Sequence, residues 1–127
     1  MNARLSLFIT MLSASTAAFA CGVCIEDRVA ATYDHAVVVK AAADHRIMVF
    51  AAVDGQAPAK VLAASAQRAA ARIEGVDPAS VRSSAEPAGA LSFALDPSVQ
   101  TPESAISAIA RASTQKGLRL TLLKVVP

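Results

Sequence analysis

The sequence has no tryptophan, and aromatic residues make up only 4% of its 127 positions. Beyond position 20 they are Tyr33, Phe50 and Phe93. Proteins that bind single strands of nucleic acid stack the bases on aromatic side chains, and so few rings exclude such a surface. An excess of charge is also missing, since 12 basic residues oppose 10 acidic residues. We therefore expect neither nucleic acid nor an anionic membrane as the main partner.

The motifs of common enzyme classes are absent as well. The chain has no glycine-rich phosphate loop, no Ser-His-Asp order and no helical His-Glu metalloprotease motif. Gly75 and Gly117 each follow a helical pattern and are interpreted as helix stops. We therefore expect that the protein is not an enzyme.

Cysteine is scarce too, and the two that are present, Cys21 and Cys24, form a Cys-x-x-Cys. Two cysteines exclude a scaffold of several disulfides. They directly follow Ala18-Phe19-Ala20, which ends a charged start and a short apolar stretch typical of a secretory signal. We predict cleavage after Ala20, so that residues 1–20 are a signal peptide and the mature chain is secreted, with the periplasm as the expected compartment.

An alternative use of the same segment is lipoprotein anchoring through Cys21, because lipidation requires a cysteine directly after the cut. Phe19 and the lack of leucine at position 18 fit that signal poorly. The apolar stretch Leu5 to Leu12 is too short to span a bilayer, so we expect no stable membrane insertion.

Hydrophobic periodicity divides residues 21–127 into one domain of alternating helices and strands. Ile47 to Val53 is apolar on both alternating faces, which predicts a central strand that is buried on both sides. The remaining predicted elements are a helix over 24–43, a helix from Pro58 towards Gly75, a hairpin of Val81 to Ala85 with Leu91 to Leu95, a helix from Pro102 to Ala112 and a strand from Leu118 to Val126.

From residue 46 to residue 126 this order is the βαββαβ of a ferredoxin-like α+β sandwich. Such a sheet packs both of its helices on one face, which would leave Met48 and Phe50 uncovered on the other. The helix over 24–43 has an apolar stripe that lacks a partner. We therefore predict that this additional N-terminal helix covers the second sheet face.

Two stretches, Arg72-Ile73-Glu74-Gly75-Val76-Asp77-Pro78-Ala79-Ser80-Val81 and Gly89 to Pro97, together with the helix Pro102 to Ala112, resemble the second half of heavy-metal-associated (HMA) domains. The resemblance implies a ferredoxin-like fold and, for many members, binding of Cu(I) or another soft metal ion. The ligand motif of that family would fall in Asp54 to Lys60, where this chain has no cysteine.

In this chain the Cys-x-x-Cys lies instead at the predicted mature N-terminus, and Cys21 and Cys24 are the candidate metal ligands. Two thiolates suit Cu(I) or a similarly soft ion, and the expected partners are the metal ion and a metal-donor or acceptor protein. A helix start at Cys24 favours a thiolate there, as in redox pairs. The open alternatives are a thiol-disulfide partner, an inert disulfide and a non-metal interaction module with a degenerate HMA-like fold.

The length of a helix over 24–43 matches that of a strand over 46–53 running back beside it. This predicts that Cys24 lies beside Asp54, at the loop where HMA domains bind metal. His35 would be about 16 Å from Cys24 along one continuous helix, which predicts that it is not a ligand. Met48 is expected in the core and His45 at the surface.

Overall fold

The computed structural model of the chain describes residues 24–127, and the proposed signal peptide and Cys21 lie outside this range. This part is an α+β structure of four α-helices and one four-stranded antiparallel sheet. None of its helices has the length and apolar character that a membrane span requires. The elements are α1 Ile25–Thr32, α2 His35–Ala43, β1 Ile47–Asp54, α3 Ala59–Ala70, β2 Arg82–Ser84, β3 Ala90–Leu95, α4 Pro102–Ala112 and β4 Arg119–Val126, with a short 3₁₀ helix Pro78–Ser80 before β2.

The strand β1 occupies the interior of the sheet, whose spatial order is β2-β3-β1-β4. It pairs antiparallel with β3 on one side and with β4 on the other. Residues 48–53 are all buried, so both faces of this strand are covered. The prediction of a central strand buried on both sides is confirmed.

One face of the sheet forms the larger core. Val49, Ala51 and Val53 of β1 project into it, together with Phe93 of β3, which has no exposed surface. The helices α3 and α4 supply the opposing apolar side chains, because their small and branched residues recur at helical spacing. These include Leu62, Ala66, Ala69, Ala105, Ile106 and Ile109.

The other face carries a second, smaller core. Met48 and Phe50 of β1 are 2% and 1% exposed there, and Ala94 of β3 lies beside them. Ala41 of α2 is buried in the same cluster, and partly buried valines of α1, α2 and β4 pack against it: Val29, Val37, Val38 and Val126. The prediction that the segment before β1 buries Met48 and Phe50 is confirmed.

The prediction of a single helix over 24–43 is wrong in one respect. The segment forms two helices, which are separated at Tyr33 and Asp34. Both residues have extended backbone conformations. The Asp34 carboxylate accepts hydrogen bonds from the backbone N–H groups of Ala36 and Val37 and so caps α2. Aspartate inside a helical pattern competes for backbone donors in this way, and the continuous apolar stripe concealed it.

This break changes the direction of α1. The helix contacts all four strands, and its eight residues span about 12 Å, close to the roughly 14 Å width of four strands. It therefore lies across the strands rather than along β1. Ile25 and Glu26 of its first turn line a groove with Leu123 and Lys124 of β4, while the Thr32 carbonyl accepts a hydrogen bond from Ser92 of β3. The predicted alignment of one long helix alongside β1 is wrong.

A tight reversal connects α2 to β1, as predicted. The N–H of Arg46 donates to the Ala41 carbonyl and that of His45 donates to the Ala42 carbonyl, which is the Schellman arrangement of a helix end. His45 occupies its left-handed position with a φ of 56°. Glycine is the residue that takes this conformation at least cost.

We predict that His45→Gly stabilises the protein by about 0.5–1 kcal/mol, because it removes the strain of a side chain at positive φ. Urea denaturation of both forms measures the difference. Ala42→Gly, three residues earlier within α2, is the matched control and should destabilise by about as much. A loss of stability in His45→Gly would show that the imidazole has a contact that outweighs the strain.

We also predict that Phe50→Ala destabilises the protein by about 3–5 kcal/mol, the usual range for a fully buried aromatic residue. Its ring lies between the sheet and the helices α1 and α2, so the loss reports directly on this second layer. Equilibrium unfolding in urea measures it. A loss below about 1 kcal/mol would mean that α1 and α2 do not stay on the sheet in solution.

Candidate functional site

Cys24 lies at the start of α1, where sequence analysis placed it. It is the N-cap residue, and its carbonyl accepts hydrogen bonds from the N–H groups of Asp27 and Arg28 at 3.1 and 3.2 Å. Its thiol takes no part in capping, is exposed and is not in a disulfide within the described residues. The backbone thus holds Cys24 in place while its sulfur is available to a ligand.

Cys21, the other predicted ligand, lies outside the described residues. Cys24 is the only cysteine of residues 24–127, and the metal pair stays a prediction. Within residues 24–127 no group of three or more His, Cys, Asp and Glu residues is arranged to hold a metal ion. A site with three such ligands that included Cys24 would need at least one of them from outside this range.

A bidentate ion pair fastens the first half of α1 to the sheet. The two terminal nitrogens of Arg28 each donate to one carboxylate oxygen of Asp54, both at 3.1 Å. The Arg28 side chain is 18% exposed and the Asp54 side chain is 40% exposed. Paired parallel hydrogen bonds of this kind fix orientation as well as distance. Arg28 is one helical turn beyond Cys24. Its contact with Asp54 therefore holds the start of α1, and with it Cys24, against the sheet.

This ion pair connects α1 to the end of β1, although not in the predicted way. Cys24 was expected beside Asp54 at the end of a helix lying along β1. Instead, the long Arg28 side chain makes the contact, and the first residues of α1 lie at β4. Sequence analysis missed this role of Arg28. The only indication in the sequence was a single arginine near the apolar stripe of the predicted helix.

The loop that holds the metal motif in HMA domains contains no thiol here. Four residues of this loop line an open cavity of about 360 Å³ together with the hairpin loop of residues 85–89: Asp54, Gly55, Ala57 and Ala59. Its carboxylates are Asp54, which already binds Arg28, and Glu86. This cavity therefore lacks the ligands that a soft ion prefers.

The other candidate residues of the sequence analysis are Met48, His45 and His35. Met48 is buried in the second core, as expected, and His45 lies exposed in the turn before β1. His35 begins α2, and its Nδ1 lies 3.3 Å from the Tyr33 hydroxyl. The helix break brings these two side chains together, which a continuous helix would not do. That His35 is not a ligand stays a prediction.

A groove between α1 and β4 lies directly next to Cys24. It encloses about 410 Å³, and most of its lining is apolar. We call it the α1–β4 groove, and it is lined by Ile25, Glu26, Val29, Ala30, Tyr33, Leu123 and Lys124.

A β-bulge in β4 produces one wall of this groove. Phe50 pairs with Lys124, and the next residue of β1, Ala51, pairs with Leu122. Leu123 is therefore an extra residue, which places Leu123 and Lys124 on the same side of the sheet although they are consecutive. Sequence analysis predicted one strand from Leu118 to Val126 and missed both the bulge and the groove.

Comparison of the chain with protein-family models, with curated proteins and with solved structures gave no match.

We predict that Arg28 and Asp54 are energetically coupled by about 1 kcal/mol, since their geometry is bidentate but Asp54 is partly exposed to solvent. A double-mutant cycle of Arg28→Ala and Asp54→Ala, followed by urea unfolding, measures this coupling. The exposed pair Lys40 and Asp44 on α2, joined by one contact at 2.7 Å, is the matched control and should show weaker coupling. Equal coupling in both cycles would argue against an anchoring role for Arg28.

Proposed function

We propose that this protein binds a soft metal ion, with Cu(I) as the expected ion, through Cys21 and Cys24, and transfers it to or from a partner protein. The observation that carries this proposal is the exposed position of Cys24 at the N-cap of a helix that Arg28 fastens to the sheet. Cys21 precedes it by three residues, a spacing that lets two sulfurs reach one ion.

The chemistry of these donors suits a soft ion. Thiolates prefer Cu(I) and similar cations over hard, oxygen-seeking ones, and the N-terminus of a helix favours negative charge on a sulfur placed there. If cleavage occurs after Ala20, the α-amino group of Cys21 is a further nitrogen donor next to its own sulfur. The carboxylates of Glu26 and Asp27 are in the first turn of α1, where they complement the helix dipole.

For the fold we propose a ferredoxin-like βαββαβ sandwich with an added N-terminal helical layer. Support comes from the strand order β2-β3-β1-β4, the antiparallel pairing of every neighbouring strand, and the packing of α3 and α4 on one face. The resemblance of residues 72–97 to HMA domains agrees with this assignment. Export to the periplasm, after removal of residues 1–20, completes the proposal.

The second candidate is thiol-disulfide exchange with a partner. An exposed cysteine at a helix N-terminus within a Cys-x-x-Cys is also the arrangement of redox-active pairs. The structural features that support metal binding therefore support this reaction equally. The two functions differ in whether the thiols encounter a metal ion or a partner protein in the cell. A reduction potential near those of known oxidoreductases would favour the redox role, whereas a much lower potential would favour an inert disulfide.

Titration of the reduced mature chain, residues 21–127, with Cu(I) against a competing chelator tests the metal proposal. We expect one ion per chain, and we expect Cys21→Ser and Cys24→Ser each to weaken binding by at least about 100-fold, because a lost ligand costs more than a lost supporting contact. His35→Ala is the control and should leave the affinity unchanged.

Two results would contradict this proposal. Retention of wild-type affinity by Cys24→Ser would exclude the thiol pair as the site. A requirement for His35 without a requirement for Cys21 would move the site to another part of the molecule. Mass spectrometry of the exported chain checks its start, since a diacylglyceryl group on Cys21 would occupy the sulfur of that residue and anchor the protein to a membrane.

A further inference from the structure

We infer that the α1–β4 groove is a self-association surface, on which a second copy of this chain docks about a two-fold axis with the two β4 strands side by side. The inference is independent of the metal proposal. Three features of the described residues carry it, namely an exposed apolar groove, an unpaired strand edge next to it and a pair of opposite charges across it.

Large apolar side chains of the groove are exposed to solvent instead of being packed in a core. Ile25 at the start of α1 and Tyr33 just after its end are 55% and 51% exposed, and Leu123 of β4 lines the same groove. Val29, between them, packs into the second core with its inner side. These exposed apolar side chains and Leu123 form a continuous apolar lining between α1 and β4.

The strand β4 forms one edge of the sheet. Within residues 24–127 it pairs with β1 alone, so its other side presents backbone groups to solvent over a length of eight residues. The opposite edge, β2, has only three residues. A long edge strand is a template for pairing with another strand, and an antiparallel copy of β4 would extend the sheet across the two-fold axis.

The opposite charges that line the groove favour a second copy of this chain as its occupant. Glu26 on α1 and Lys124 on β4 are both exposed and line opposite walls. Neither forms an ion pair with any residue of the described range. In the proposed dimer the lysine of each chain lies against the glutamate of the other, and two-fold symmetry forms this contact twice. An anionic membrane would instead meet the carboxylates of Glu26 and Asp27.

Sedimentation equilibrium of the reduced, metal-free mature chain, residues 21–127, tests this inference. We expect a monomer–dimer equilibrium, and we expect Ile25→Lys, Glu26→Lys and Lys124→Glu each to raise the dimer dissociation constant by about tenfold or more. The double variant Glu26→Lys with Lys124→Glu exchanges the two charges and should restore most of the affinity. Val39→Lys is the matched control, since Val39 is 53% exposed on α2 outside the groove.

Hydrogen exchange supplies a second readout that a change in folding would not imitate. Amides of β4 should exchange more slowly as protein concentration rises, while those of β2 should not change. A wild-type chain that stays monomeric at millimolar concentration would overturn the inference. So would dimerisation that the groove variants leave intact, or association of the monomer with anionic vesicles that Ile25→Lys abolishes.

Discussion

Burial of β1 on both faces is the constraint on which the rest of this structure depends. A strand whose consecutive residues are all apolar cannot lie on an open face of a sheet, because each alternating side exposes its own set of side chains. Val49, Ala51 and Val53 are covered by α3 and α4, and Met48 and Phe50 are covered by α1 and α2. Residues 25–43 therefore pack on the sheet and cover its second face.

The position of the thiol follows from that second layer. Because α1 crosses the strands, its first residue lies at the β4 edge, and Arg28 holds it there through Asp54. Cys24 directly precedes Ile25, which lines the groove together with Leu123 of β4. Any protein that exchanged metal or electrons with this thiol would approach from the β4 side, which is also the surface that we assign to self-association.

Much of this fold could be predicted from the sequence. The doubly apolar run from Ile47 to Val53, the proline at the first position of α4 and the glycines after the helices each have a direct physical meaning, and the structure confirms the elements that they predicted. The burial of Met48 and Phe50 followed from counting which apolar faces lacked a cover. The signals from the apolar run, the proline and the glycines are local, so they can be interpreted without knowledge of distant contacts.

The features that sequence analysis missed depend on which of several possible conformations or contacts the chain adopts. Asp34 lies inside a continuous apolar stripe, and only its capping bonds to Ala36 and Val37 show that the helix ends there. The bulge at Leu123 depends on how β4 aligns with β1 over its whole length. The contact between Arg28 and Asp54 follows from the crossing of α1 over the sheet, which the helix break determines.

The central claim is that α1 and α2 form an integral layer that holds Cys24 at the β4 edge. Paramagnetic relaxation enhancement from a nitroxide attached to Cys24, in a chain with Cys21→Ser, tests it most directly. The account predicts the strongest loss of amide signal in β4, around Leu122 to Lys124, and little loss in β2, at Arg82 to Ser84. Uniformly weak effects over the sheet, or the strongest effects at β2, would contradict it.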